Sequence, residues 1–395
     1  MTINRAIFSG MQALIGHDFV KDRAVVVEDN IIKAIIPADM ISHHMPAKHY
    51  EFPQDAYLVP GFIDLHVHGA NGKDVMDDDA HALKSISSAL AEEGVTSFLP
   101  TTMTANITRI EDVLRLIASF MDDTNDSGIL GIHLEGPFIA KEKIGAHVGD
   151  ETILPDTNLI KSWQKLTNNK IKIVTLAPEL PGSIPFIQSL KQMEIIAAIG
   201  HTNATYEETN AAIKAGCTQA THLFNAMRGI HQREPGATCA LLLSDAVIAE
   251  LIVDGIHLHP AIINLAHRVK GKDKLLLVTD AMRAKCLGDG RYELGGQTVN
   301  VEDGRVTLAD GTLAGSVLRM PMAIKNMAEF SRCSLAEAVY MASLNPARSL
   351  KIDNQKGSID YGKDADLVVM NADFQVMLTM RAGKTIFSCN HNTHK

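Results

Sequence analysis

The sequence has few cysteines and no cysteine motif. Its five cysteines are dispersed, odd in number and without Cys-x-x-Cys spacing. That distribution argues against a disulfide framework and against a zinc site built from thiolates. We therefore expect free thiols and a reducing, cytoplasmic compartment.

Other absences exclude further classes of protein. Basic residues are scattered and in the minority, and the net charge is −9, so the chain lacks the electrostatic footprint of a nucleic-acid-binding protein. No segment is long and apolar enough to span a bilayer. The polar residues Asn4, Ser9 and Gln12 argue against a signal peptide. We expect the protein to bind neither nucleic acid nor membrane.

Apolar strand-like runs alternate with helical periodicity along the middle of the chain. The eight predicted strands are residues 57–66, 96–103, 129–136, 172–178, 195–201, 218–223, 247–253 and 275–280. This alternation predicts a parallel sheet covered by helices, and eight repeats favour closure into a (β/α)8 TIM-like barrel. A doubly wound open sheet is the alternative, but no Gly-x-Gly-x-x-Gly motif follows any of these strands.

Both ends of the chain are rich in short strand patterns. A turn at Asp29-Asn30 between two apolar runs predicts a hairpin near the N-terminus. Strand patterns return from about residue 352, after the barrel pattern has ended. We therefore predict two domains: a small β-sandwich from residues 1–57 and 352–395, and a barrel from residues 58–351.

Two histidines, His66 and His68, lie two residues apart at the end of the first predicted strand. Side chains at positions i and i+2 of a strand point to the same face, so both imidazoles can reach one ion beyond the strand end. Further candidate metal ligands lie at the ends of later strands: Glu135, His201, His222 and Asp280. Because active sites of such barrels lie at the carboxyl ends of the strands, we expect these six side chains to meet.

The ligand types indicate which ions would bind. Imidazole and carboxylate groups suit zinc or iron(II), and the six residues provide enough ligands for one or two divalent ions. His133 shares a strand face with Glu135, so we expect it to be either a further ligand or a hydrogen-bonding group behind the ligands.

These motifs together resemble the amidohydrolase superfamily and, within it, the N-acetylglucosamine-6-phosphate deacetylases. The resemblance covers nearly the whole chain. Its motifs are Pro60-Gly-Phe-Ile-Asp-Leu-His-Val-His-Gly69, His133-Leu-Glu-Gly-Pro-Phe138, Gly145-Ala-His147, Gly200-His-Thr202, His222-Leu-Phe-Asn-Ala-Met227, Arg233-Glu-Pro-Gly236, Asp254-Gly-Ile-His257, Thr279-Asp-Ala-Met282 and Leu313-Ala-Gly-Ser316.

The resemblance implies a division of the ligands. Glu135 would bridge two positions, a role that a carboxylated lysine on the fourth strand fills in many amidohydrolases. Glu135, His201 and His222 would form the principal position. His66, His68, Glu135 and Asp280 would form the second, which some family members lack.

The resemblance also implies residues that bind the substrate, an amino-sugar phosphate. The implied set is Ala146, Asn225, Ala226, Arg233, His257, Leu313, Ala314 and Gly315. Arg233 offers a fork of donors suited to phosphate oxygens, and an ion pair with Glu234 is the alternative role. Family members tend to dimerise and to supply this arginine to the partner's site, so we expect a homodimer or higher oligomer.

Amide hydrolysis assigns roles to two further groups. Asp280 is expected to take a proton from the attacking water and return it to the departing amine. By resemblance, His147 helps to polarise the acetyl carbonyl. No covalent intermediate is expected.

Three alternatives remain open at this stage. N-acetylgalactosamine-6-phosphate differs from the expected substrate at one hydroxyl. A cyclic-amide hydrolase is opposed by the absence of a lysine from Val174-Thr-Leu-Ala-Pro178. A non-catalytic scaffold is opposed by the presence of every expected ligand.

Overall fold

The computed structural model describes residues 4–41, 46–123 and 127–389. The chain divides into two compact units. We call residues 1–64, 88–97 and 320–395 the terminal unit, and residues 65–87 and 98–319 the barrel unit. The domain boundaries predicted from the sequence stay a prediction, and their ends at residues 1–3 and 390–395 lie outside the described residues.

Strands from both ends of the chain pair with each other in the terminal unit. A four-stranded sheet has the order Ile31–Pro37, Arg23–Glu28, Arg5–Ser9 and Lys48–Glu51. A six-stranded sheet has the order Lys384–Ser388, Val376–Arg381, Leu367–Met370, Tyr57–Pro60, Gln12–Ile15 and Asp18–Val20. Phe8 and Val25 of the first sheet share a buried core with Leu58 and Leu367 of the second. The predicted pairing of the two ends, and the predicted hairpin, are confirmed.

Eight strands follow one another around a nearly closed sheet. They are Phe62–Val67, Val95–Thr102, Ile132–Glu135, Ile171–Leu176, Ile196–Ile199, Gln219–Ala220, Ile248–Leu251 and Leu275–Leu277, in sequence order. The chain after the eighth strand returns to the first: Asp280 N–H donates to the His66 carbonyl at 2.9 Å, and His68 N–H donates to the Ala281 carbonyl at 2.8 Å. The predicted (β/α)8 barrel is confirmed.

A helix follows each barrel strand. The eight helices are Ala80–Ala91, Ile107–Asp123, Thr157–Leu166, Ser183–Gln192, Tyr206–Ala215, Gly236–Leu243, Pro260–Lys270 and Met320–Ser331, with Leu335–Met341 and Leu344–Ser349 beyond them. The helix Tyr206–Ala215 illustrates the local signals. Thr205 and Glu208 form a capping box at its start, and Gly216 ends it with a positive φ of 134°, a conformation that favours glycine.

The first predicted strand, 57–66, is wrong as a single element. Tyr57–Pro60 joins the six-stranded sheet and Phe62–Val67 begins the barrel, with the break at Gly61. A Cβ atom on Gly61 would lie 2.2 Å from Thr96 Oγ1, so the close approach requires glycine. Gly61 N–H instead donates to the Asp366 carbonyl at 2.8 Å.

Smaller elements complete the described chain. Strands Gly290–Leu294, Gln297–Glu302 and Arg305–Thr307 form a three-stranded sheet after the eighth barrel strand, and Gly69–Ala70 pairs with Lys73–Asp74. Short 3-10 helices cover Ala38–Met40, Val75–Asp77, Lys141–Lys143 and Gly149–Glu151. Within the described ranges, no helix combines the length and hydropathy needed to cross a membrane.

Candidate metal centre and active site

All six predicted metal ligands meet at the carboxyl ends of the barrel strands. His66 lies in the first strand and His68 directly follows it, Glu135 ends the third strand, and the other three follow the fifth, sixth and eighth strands. All six side chains are buried. The parallel sheet therefore gathers residues that are far apart in sequence, as the strand-end argument predicts.

Three of these candidate ligands have an uncommon backbone conformation. His201, His222 and Asp280 have φ values of 47°, 29° and 49°. Residues other than glycine adopt this region at a cost of order 1 kcal/mol each. The chain turns sharply just past the strand ends, and strain of this kind is typical of functional residues.

Glu135 Oε1 contacts His201 and His222. We call these three residues the first ligand group. The distances from Glu135 Oε1 to His201 Nε2 and His222 Nε2 are 3.2 and 3.1 Å, and the two nitrogens are 3.1 Å apart. A tetrahedral ion with bonds of about 2.0–2.1 Å separates its ligand atoms by about 3.3 Å. This nearly equilateral triangle therefore fits three ligands of one ion.

Glu135 Oε2 contacts the second ligand group, which comprises His66, His68, Glu135 and Asp280. His66 Nε2 and His68 Nε2 are 3.2 Å apart and lie 3.2 and 3.1 Å from Glu135 Oε2. Asp280 Oδ1 lies 3.4 and 3.2 Å from the same two nitrogens. The two oxygens of Glu135 thus belong to different groups, which suits a carboxylate that bridges two ions.

The far ring nitrogens of the histidines also fit a metal centre. Nδ1 of His68 lies 3.1 Å from the Thr101 carbonyl, and Nδ1 of His201 lies 2.8 Å from the Lys143 carbonyl. A carbonyl accepts only, so each Nδ1 carries a proton, and Nε2 is the nitrogen left to bind an ion in the ligand group. This is the tautomer that binding of an ion at Nε2 requires.

Opposite charges control the pKa values in both groups. Burial tends to raise the pKa of Glu135, but the surrounding histidines, His66 first, outweigh it and hold the pKa well below its ordinary value. The same balance lowers the pKa of Asp280. Burial tends to lower the pKa of His66 and His68, but the carboxylates raise both, that of His68 to about 9. The carboxylates therefore stay ionised and attract cations, either protons or metal ions.

His133 is a hydrogen-bonding residue behind the ligands. Its Nδ1 lies 2.9 Å from the Leu65 carbonyl and its Nε2 lies 2.8 Å from Thr175 Oγ1. Burial lowers its pKa to about 4, so the ring is neutral. Because both ring nitrogens bond to protein atoms, His133 fits the second of its two predicted roles.

His147 is held as a neutral hydrogen-bond donor. Thr104 N–H donates to its Nδ1 at 3.0 Å, so the ring proton lies on Nε2. Nε2 is 3.5 Å from Glu135 Oε2, and the ring lies edge-on to His201 of the first ligand group with 4.6 Å between ring centroids. Burial lowers the pKa of His147 to about 4. The ring can therefore donate to a carbonyl oxygen near the ligands without carrying a charge.

The ligand groups lie in a cavity of about 490 Å³, which is large enough for a sugar phosphate. Six of the predicted substrate residues line it: Ala146, Asn225, Ala226, His257, Leu313 and Gly315. Ala314 is buried next to the lining residues. Arg233 is exposed and lies outside this lining within its own chain. The neighbouring Glu234 pairs with Arg228 at 3.0 Å, so the alternative of an Arg233–Glu234 pair is not what the structure shows.

Asp254 fixes the orientation of His257 on the cavity wall. Asp254 Oδ2 lies 2.6 Å from His257 Nδ1, and Oδ1 accepts main-chain N–H bonds from Ile256 and His257 at 2.8 Å each. Burial opposes ionisation of Asp254, but these contacts outweigh it and lower its pKa. The ionised carboxylate therefore fixes the imidazole through Nδ1, and His257 remains part of the cavity lining.

Sequence reasoning missed several residues of the site. Glu250 contacts His66, and Thr104 contacts His147, but neither touches the cavity. Lys143, Leu294 and Thr312 line it from a 3-10 helix, the three-stranded sheet and a loop, respectively. Only Glu250 carried a visible signal, since it is an acidic residue within the apolar strand Ile248–Leu251.

Comparisons with known proteins agree with this site. Residues 57–386 match the model of the Amidohydrolase family. N-acetylglucosamine-6-phosphate deacetylase of Bacillus subtilis is 42% identical over 382 residues, covering 93% of this chain and 96% of the relative. The enzyme of the same name from Lysinibacillus sphaericus is 42% identical over 336 residues, covering 85% and 87%.

A solved structure extends the similarity to three dimensions. It is a variant of N-acetyl-D-glucosamine-6-phosphate deacetylase from Mycobacterium smegmatis in complex with N-acetyl-D-glucosamine-6-phosphate. Its TM-score is 0.90 at 31% identity, and the match covers 98% of this chain and 100% of that one. By sequence and by structure, the chain belongs to the amidohydrolase family and, within it, to the N-acetylglucosamine-6-phosphate deacetylases.

Proposed function

We propose that the protein hydrolyses the acetamide of N-acetylglucosamine-6-phosphate to glucosamine-6-phosphate and acetate. The observation that carries this proposal is Glu135, whose two oxygens belong to separate ligand groups in a cavity of sugar-phosphate size. The names of the relatives and the ligand of the Mycobacterium structure support the choice of substrate. Since both relatives at 42% identity are named for the glucosamine sugar, the galactosamine alternative is not favoured.

The two ligand groups would hold one or two divalent ions. Glu135, His201 and His222 would bind the first, and His66, His68, Glu135 and Asp280 the second; zinc and iron(II) both suit these ligands. When bound, such an ion supplies Lewis acidity for the carbonyl and lowers the pKa of water to about 7.

Asp280 would serve as general base and then as general acid. Its carboxylate stays ionised at neutral pH because its pKa is lowered, so it can accept a proton from the attacking water. The same oxygen can then deliver that proton to the nitrogen of the departing glucosamine. Asp280 also lines the cavity, which gives it access to substrate.

His147 would stabilise the negative charge that develops on the acetyl oxygen. Its Nε2 carries the proton, because Thr104 N–H occupies Nδ1. A neutral donor of this kind is preorganised for an oxyanion. Ala146, Leu313, Ala314 and Gly315 would form the surface around the sugar.

The phosphate would bind at the other end of the cavity. His257 and the main-chain N–H of Ala226 are its proposed partners within the chain. Asn225 lines the cavity beside them, but its own main-chain N–H donates to the His222 carbonyl at 3.0 Å. We propose that Arg233 reaches the phosphate of a neighbouring subunit in a homodimer or higher oligomer, since it lies outside the cavity of its own chain. We further propose that the protein works in the cytoplasm.

The proposed reaction is tested by acetate release. Protein of measured metal content is assayed with N-acetylglucosamine-6-phosphate, N-acetylgalactosamine-6-phosphate and unphosphorylated N-acetylglucosamine. We expect the first to give the highest kcat/KM and chelation to remove the activity. Acetate release at the full rate after complete metal removal, or none from any substrate by metal-loaded protein, would refute the proposal.

A further inference from the structure

Glu250 is a fully buried carboxylate behind the second ligand group. It lies in the seventh barrel strand, Ile248–Leu251. Its Oε2 lies 3.1 Å from His66 Nδ1 and accepts the His222 main-chain N–H at 3.1 Å. Its Oε1 accepts from Gln219 Nε2 at 2.7 Å. A buried carboxylate is costly unless such partners compensate it, so these contacts define its position.

The contact with His66 determines which nitrogen faces the ligand group. An ionised carboxylate only accepts, so His66 Nδ1 carries a proton, and Nε2, which faces Glu135 and Asp280, is the nitrogen left to bind an ion. A carboxylate behind a ligating imidazole also makes that imidazole a stronger ligand than a neutral acceptor does.

The ligands differ in what lies behind them. His66 has a carboxylate at Nδ1, whereas His68 and His201 have main-chain carbonyls. Glu250 contacts the main-chain N–H of His222 and not its imidazole ring. The extra negative charge therefore acts chiefly through His66, a member of the second ligand group and not of the first.

We propose that Glu250 is a positioning residue that, through His66, gives the second ligand group its affinity for a divalent ion, so that the chain holds two ions. The proposal rests on the metal dependence proposed above. Occupancy of the second ligand group would then depend on a residue that touches neither substrate nor ion.

Titration of metal-free protein with Co²⁺ tests this directly, with calorimetry for affinity and visible absorption for coordination. Glu250→Gln keeps the shape and an acceptor oxygen but removes the charge, and Glu250→Asp keeps the charge on a shorter side chain. Asp254→Asn is the matched control, because it neutralises a partly buried carboxylate paired with a histidine outside the ligand groups. We expect Glu250→Gln to bind the first ion as the unmodified protein does and the second about 10- to 100-fold more weakly.

The variants separate positioning from a merely structural role. Glu250→Asp should recover part of the lost affinity, and Asp254→Asn should bind both ions normally. Two ions bound with unchanged affinity by Glu250→Gln, or equal weakening at both positions, would overturn the proposal. If unmodified protein bound no ion at all, the proposed function would fail instead.

A measurement on unmodified protein covers the case in which the variants do not fold. Nitrogen-15 NMR of the zinc-loaded protein should show a proton on Nδ1 of His66. An unprotonated Nδ1 would contradict the hydrogen bond to Glu250 and with it the proposal.

Discussion

Asp280 has a strained backbone conformation, and its ionised carboxylate is the general base of the proposed reaction. We expect Asp280→Asn to keep most of the bound metal and to lower kcat by about 10²- to 10⁴-fold, because the amide cannot accept the proton from water. Asparagine tolerates the left-handed conformation of this residue. Metal analysis and steady-state kinetics check this outcome.

A matched control exists for that substitution. Asp303 has the same φ of 49° but lies exposed in a turn, so Asp303→Asn should leave kcat unchanged. A normal kcat in Asp280→Asn would show that another group moves the proton.

The two ligand groups should lose metal separately. His201→Ala or His222→Ala should lose the ion of the first ligand group, because each removes one of its three ligands. His66→Ala should lose only the ion of the second group, and His257→Asn should keep the full metal content. Elemental analysis of purified variants measures this. One tightly held ion both with and without His66 would mean that the second group is vestigial.

Arg233 should act on phosphorylated substrate only. We expect Arg233→Ala to lower kcat/KM for N-acetylglucosamine-6-phosphate by about 2–4 kcal/mol in transition-state stabilisation, the cost of a lost charge-assisted contact. The rate on the unphosphorylated sugar should barely change. Equal losses on both sugars would rule out a phosphate role.

Subunit exchange tests where that arginine acts. Mixed dimers of Arg233→Ala and Asp280→Asn chains contain one site with both residues intact if Arg233 serves the partner's site. Activity should then recover in part. No recovery in verified mixed dimers would count against sharing of Arg233 between subunits.

At the scale of elements, the break at Gly61 lets one apolar run serve two sheets. A Cβ atom there would lie 2.2 and 2.5 Å from Thr96 Oγ1 and Cγ2, so Gly61→Ala should lower the free energy of unfolding by about 1–3 kcal/mol through overpacking. Gly288→Ala is the control, because a Cβ there meets no atom within 4 Å. Denaturant titration compares the two variants. Equal stability of both would mean that the backbone at Gly61 shifts freely.

The sequence predicts most of the ligands because their positions follow from strand ends. A parallel barrel brings the residue after each strand to one face, so His201 and His222 could be placed without coordinates. Glu250 could not be placed in this way. Its role depends on a contact between the seventh strand and His66 of the first strand, and the alternation of strands and helices does not specify such contacts. The break at Gly61 was missed for a related reason: the need for glycine there comes from the close approach of the Thr96 side chain on the next strand.

The orientation of side chains was also beyond the sequence. His133 and Glu135 share a strand face, yet His133 bonds to Leu65 and Thr175 while Glu135 joins both ligand groups. Which nitrogen of His147 carries its proton depends on Thr104, a distant main-chain donor. Such assignments require distances between elements that no periodicity contains.

At the scale of the whole molecule, metal removal should make stability depend on pH. Without ions, the carboxylates raise the pKa of His68 to about 9, above its ordinary value of 6.5. Protonation of His68 therefore adds about 3 kcal/mol to the free energy of unfolding. This contribution is fully present below pH 6.5 and is lost as pH rises through 9. The pKa of His66 is raised in the same direction.

Thermal unfolding across this pH range checks the prediction. Metal-free protein should lose stability between pH 6.5 and 9, whereas metal-loaded protein should change little, because ions replace the protons. Saturating metal should also raise the unfolding temperature, by binding the native state only. Parallel curves for the two forms would contradict the assigned charge balance.

The pairing of Leu367–Met370 with Tyr57–Pro60 has a consequence for biosynthesis. A ribosome that adds about 5–20 residues per second releases the earlier strand tens of seconds before its neighbour. Throughout that interval the apolar edge of Tyr57–Pro60 is open, and an open strand edge can pair with another nascent chain. The protein is therefore most prone to aggregation on crowded polysomes. Slower translation of the barrel would lengthen the time during which this strand edge is unpaired.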